Sequence, residues 1–80
     1  MEEIDLTDII SARANAIEIE ASIEPRHGEI EILRDQDDPY PVTMHHGART
    51  IIGAPESRRL YVRLGPSARA CRVTVVDWYD

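Results

Sequence analysis

Three histidines, one cysteine and fifteen side-chain carboxylates are the residues of this 80-residue chain best suited to chemistry. His45 and His46 are adjacent, so on a strand they point to opposite faces and could share a metal only from a loop. No cysteine or further histidine stands at a zinc-like spacing from them, and His27 lies apart in a turn. Cys71 is the single cysteine, which excludes an internal disulfide, and its place in an apolar run suits a small buried hydrophobe. Ser11, Ser22, Ser57 and Ser67 lie in no nucleophile-elbow context. Asp35, Asp37 and Asp38 invite a calcium reading. An EF-hand loop starting at Asp35 would need an oxygen ligand at Pro39, glycine at Tyr40 and glutamate at His46, so the stretch reads instead as a solvated acidic loop. Gly28, Gly47, Gly53 and Gly65 each fall at a turn, and none belongs to a phosphate-cradling loop. The expectation is a non-enzymatic protein with no cofactor and no metal.

The carboxylates that repeat are more informative. Glu18, Glu20 and Glu24 alternate with Ile17, Ile19, Ala21 and Ile23, and Glu29 and Glu31 alternate with Ile30 and Ile32. A period of two on each side of Pro25-Arg26-His27-Gly28 predicts a β-hairpin. Proline presets φ for the early part of the turn, and glycine tolerates positive φ later in it. In that hairpin one face is isoleucine and the other is a single row of glutamates.

The remaining elements follow from the same alternation. Val42 to His45 and Thr50 to Ile52 read as short strands joined around Gly47. Arg59 to Leu64 places Leu60, Val62 and Leu64 inward and Arg59, Tyr61 and Arg63 outward. Ala70 to Tyr79 is the last strand, with Cys71, Val73 and Val75 on one face. Its other face begins polar at Arg72 and Thr74 and becomes apolar at Val76 and Trp78, so this strand needs cover on both sides. Turn signals recur after roughly 8 to 12 residues. The fold expected is all-β: one domain over residues 1–80, a small antiparallel sandwich or barrel with an acidic central hairpin. Residues 2–15 admit either an extended segment, which is favoured, or a short N-terminal helix carrying Leu6, Ile9, Ile10 and Ala14 on one side.

The formal net charge of −6 conceals a division. Residues 1–38 sum to −9 and residues 39–80 to +3. An acidic half repels nucleic acid and suits a basic protein surface, whereas the arginine half suits an acidic one, including that of a second copy. Direct nucleic-acid binding is disfavoured by the net charge. The acidic start Met1-Glu2-Glu3-Ile4-Asp5 is unlike a secretion signal, and no stretch approaches the ~20 apolar residues of a membrane span. The expectation is therefore a soluble protein made in the cytoplasm without a membrane partner.

Two functions suit this surface. The first is a protein-protein interaction or assembly module, expected to be homo-oligomeric. Its acidic row would meet arginines such as Arg59 and Arg63 of another copy, and Trp78 and Tyr79 would fill the contact, since such residues bury large areas with few rotors. The strand pattern from Arg58 to Asp80 resembles the closing strands of small bacteriophage virion β-domains, which implies a structural place in a virion or mobile-element particle. The second is an acidic inhibitor of the anti-CRISPR or anti-restriction type. In that reading Glu18, Glu20, Glu29, Glu31, Asp35, Asp37 and Asp38 stand in for phosphates on a basic protein surface, with same-face neighbours about 6.5 to 7 Å apart.

Overall fold

The structure, a computed structural model, describes residues 1–80. Seven strands form: β1 (Glu2–Asp5), β2 (Ala16–Glu24), β3 (Glu29–Leu33), β4 (Val42–His45), β5 (Arg49–Gly53), β6 (Arg59–Leu64) and β7 (Ala70–Tyr79). They build two antiparallel sheets, a four-stranded one in the order β1-β6-β3-β4 and a three-stranded one in the order β5-β2-β7. The all-β sandwich expected from the alternation is what forms. Ile17, Ile19, Ala21 and Ile23 of β2 face Ile30 and Ile32 of β3, Met44 of β4 and Leu60 and Val62 of β6 across the interior, all of them buried.

The central hairpin is corrected. β2 and β3 belong to different sheets and do not pair. A period of two reports that one face is buried, but not which strand lies alongside. Placing the two isoleucine faces opposite each other across a sandwich covers both, whereas a hairpin would leave its whole apolar face needing another lid. Pro25 to Gly28 is therefore an arch between sheets, closed by the Gly28 N–H donating to the Pro25 carbonyl at 2.9 Å. Gly28 suits the arch by space rather than by positive φ: a Cβ would stand 3.0 Å from the Ala68 Cα, a tight approach. The sole hairpin between consecutive strands is β3–β4, with Ile32 opposite Val42 and Ile30 opposite Met44.

Residues 6–15 form no helix. The chain is extended only to Asp5 and then makes one helical turn, in which the Ile10 N–H donates to the Leu6 carbonyl at 3.1 Å. Leu6, Ile10 and Ala14 are buried and join the core. Arg58 holds this plug: its guanidinium donates to the carbonyls of Ala14 (3.0 Å) and Ala12 (2.7 Å), and its own carbonyl accepts from the Leu6 N–H at 2.8 Å.

Candidate functional site: the open side of the sandwich

The acidic residues do not assemble into one surface. Glu18 and Glu20 lie on the outer face of the three-stranded sheet, and Glu29 and Glu31 on the outer face of the four-stranded sheet, because each alternates with isoleucines that point into the shared core. Each also has a partner within the molecule. Glu20 pairs with Arg49 at 2.8 Å, Glu31 with Arg63 at 2.7 Å, and Glu29 lies 3.9 Å from the His45 imidazole. Glu18 accepts the Tyr79 hydroxyl at 2.7 Å. Arg59 pairs with Glu3 at 3.1 Å. The acidic and basic halves of the chain thus meet as cross-strand pairs, with Glu20 directly opposite Arg49 and Glu31 directly opposite Arg63.

The acidic loop is not simply solvated. Asp38 is buried, and its carboxylate accepts the backbone N–H groups of Arg34 (3.0 Å) and Tyr40 (2.9 Å), with the Arg34 Nε at 3.3 Å. Those two backbone donors hold its pKa below the usual carboxylate range. Asp35 accepts the Asp37 N–H at 2.8 Å, and both residues are exposed. No group of three His, Cys, Asp or Glu side chains converges to hold a metal ion.

Trp78 and Tyr79 belong to the one side of the sandwich that stays open. β4 and β5 are joined by the turn at Gly47 and close one side. On the other, β1 and β7 are both edge strands, and no hydrogen-bonded ladder joins them. A groove of about 640 Å³ runs between them, lined by Glu2 of β1, Val62 and Leu64 of β6, and Ala70 and Cys71 of β7. Leu64 is 44% exposed and Trp78 42% exposed. Cys71, Val73 and Val75 pack against the core yet remain only half-buried. Cys71, expected as a small buried hydrophobe, is thus only half-buried. Burial, with a smaller contribution from the Glu2 carboxylate, pushes its thiol up.

Comparison with protein-family models, curated proteins and solved structures finds no match to this chain. The site therefore rests on its geometry.

β7 departs from simple alternation. Ile19 is opposite Val75, but Glu18 is opposite Asp77, which leaves Val76 as the extra residue of a β-bulge. The bulge reverses the alternation beyond it. Trp78 is consequently opposite Ile17, on the same face as Cys71, Val73 and Val75, and not on the Arg72–Thr74 face expected from strict alternation. Tyr79 moves to the outer face opposite Ala16.

The direction of β7's free backbone groups follows from β2. The N–H groups of Ala21 and Ile23 point toward β5, donating to the Ala48 carbonyl (3.0 Å) and to His46 Nδ1 (3.0 Å). Glu20, Ser22 and Glu24 therefore exchange hydrogen bonds with Thr74, Arg72 and Ala70, opposite them in register. Cys71, Val73 and Val75 aim their N–H and C=O groups at the free edge. The sequence pattern expected cover over an apolar face at Val76 and Trp78, not over these edge groups; the strand's ten-residue length was the available signal.

Proposed function

We propose that this protein is a non-enzymatic protein-protein interaction or assembly module that binds through the open side formed by β7 and the adjoining groove. The observation that carries the reading is the contrast among the edges. β1 and β4 are four residues long and β5 is five, and β1 is further guarded by Glu2, Glu3 and Asp5, whereas β7 offers ten residues with half-buried valines. Proteins normally blunt a long apolar edge, because it is a template for strand addition. Here the start of the edge, at Ala70 and Cys71, borders a groove, and Trp78 stands at the strand's far end. An incoming strand would satisfy the free groups of Cys71, Val73 and Val75 and cover their side chains. The resemblance of Arg58 to Asp80 to virion β-domains accords with a place in a larger assembly. A basic partner held by a glutamate row is not carried forward, since Glu18 and Glu20 lie on the opposite face from Glu29 and Glu31.

The test is site-specific photo-crosslinking in the cells that make the protein, with a benzophenone side chain at position 78 and, as the contrasting site, at position 45 on the outer face of the four-stranded sheet. Discrete protein adducts at position 78 that are missing at position 45 are expected. Equal labelling at the two positions, or none at 78, overturns the reading.

A further inference from the structure

The interaction reading leaves the partner open, and β7 itself carries the features that choose one. Arg72 and Asp77 are the two charged residues of the strand, both on its outer face, and neither has an ion pair within the molecule. Asp77 is poorly placed as it stands. It lies directly opposite Glu18, and like charges in that position are destabilising. Its carboxylate accepts the Trp78 N–H at 2.8 Å and neighbours the Tyr79 hydroxyl, which Glu18 holds more closely. Arg72 lies opposite Ser22 and extends from an exposed position.

Resting on the interaction reading, we infer that the partner is a second copy of this chain, joined antiparallel along β7 about a two-fold axis through Thr74. Two strands sharing that axis place Thr74 opposite Thr74. On either side, Val73 falls opposite Val75. The backbone groups of both valines already point at the free edge, so each Val73–Val75 pair exchanges two hydrogen bonds without disturbing β2. The bulge at Val76 then brings Arg72 opposite Asp77, both on the outer face, and supplies the cation that Asp77 lacks beside Glu18. Beyond it, on the inner face, Cys71 falls opposite Trp78, and Ala70 opposite Tyr79 on the outer face. Small side chains thus meet large ones at both ends. Trp78 of each copy is delivered to the groove beside Cys71 of the other, where Val62 and Leu64 offer apolar walls. The result is a continuous six-stranded sheet with no long edge remaining. An odd register, centred between Thr74 and Val75, would set an outward threonine against an inward valine and is disfavoured.

The test is solution mass by size exclusion with light scattering, together with charge-swap variants whose folding is checked by thermal unfolding. Wild type is expected at twice the 9.1 kDa chain mass. Arg72→Asp places two carboxylates opposite each other at both ends and should weaken the dimer by about tenfold or more, as should Asp77→Arg. The double exchange Arg72→Asp with Asp77→Arg restores the pairing in reverse and should return the dissociation constant to within about threefold of wild type. Reaction of Cys71 with a disulfide reagent gives a second readout: it should be faster in Arg72→Asp than in the wild-type dimer, because Trp78 of the mate no longer covers it. A wild-type monomer at millimolar concentration overturns the second-copy inference, and so does a dimer indifferent to the single reversals or not rescued by the double exchange. If position 78 still crosslinks to a different protein under those outcomes, the interaction reading stands without the dimer; if it crosslinks to nothing, both fail.

Discussion

Asp38 shows how one side chain can organise a loop whose composition suggests only solvation. Its carboxylate is stabilised in the folded state by the Arg34 and Tyr40 N–H donors, so its folded pKa lies below the unfolded one. The stability it contributes is present above the unfolded aspartate range and is lost as pH falls through the depressed folded value. Thermal unfolding from pH 7 to pH 2 should show this loss in wild type, and Asp38→Asn should start less stable at pH 7 and lose less on acidification. Gly65 is decided by space. Its N–H donates to the Glu29 carbonyl at 2.9 Å, and a Cβ would stand only 2.5 Å from that oxygen. Gly65→Ala should therefore cost about 1 to 3 kcal/mol in urea unfolding, because backbone yields little to overpacking.

At the scale of elements, the central strand β2 is completed by a side chain. β5 pairs with it only from Ala16 to Glu20. Past that point the Gly47 N–H donates to the Ala21 carbonyl at 2.8 Å, and the His46 imidazole accepts the Ile23 N–H where no backbone acceptor remains. His46→Ala should leave that N–H without its partner, lowering stability by about 1 kcal/mol and speeding amide exchange at Ile23. The adjacent His45 points outward beside Glu29. Neighbouring histidines thus do separate work on a strand and its turn. The exposed ion pairs of the outer faces contribute little individually, on the order of 0 to 1 kcal/mol. They serve instead to give each glutamate a defined cross-strand neighbour.

For the whole molecule, the asymmetry between a closed and an open side is the consequential feature. One end is plugged by Leu6, Ile10 and Ala14, and the β4–β5 side is sealed by a tight turn. The β1–β7 side keeps a groove and an unpaired strand. A domain of 80 residues buries only somewhat over 60% of the surface its unfolded chain exposes, so covering that side adds materially to stability. If two copies share β7, mass action makes stability depend on concentration. The wild-type thermal midpoint should rise over a hundredfold increase in protein concentration, and Arg72→Asp should need about tenfold more protein or more to reach the same midpoint. Calorimetry at two concentrations checks both.

By itself the sequence determined where most of the strands lie and which of their alternating apolar residues form the core. It did not determine the burial of Asp38, the exposure of Leu64 or the partial exposure of Cys71. The alternation of Ile17, Ile19, Ala21 and Ile23 with polar neighbours, and of Leu60 and Val62 with Arg59, Tyr61 and Arg63, is local information, since side chains on a strand must alternate between faces whatever pairs with it. The β7 limits were legible for the same reason, whereas the apolar second face expected at Val76 and Trp78 was not what formed. Tertiary structure alone decided the partners. Whether β2 and β3 form a hairpin or an arch leaves their alternation unchanged, yet it sets the glutamates on one face or on two. The bulge at Val76 is equally invisible in the pattern, because it arises from how β7 registers against β2, and it moved Trp78 to the inner face. Pairing across sheets and registers is a property of distant segments meeting, and it turned a segregated charge sequence into ion pairs while leaving one edge free.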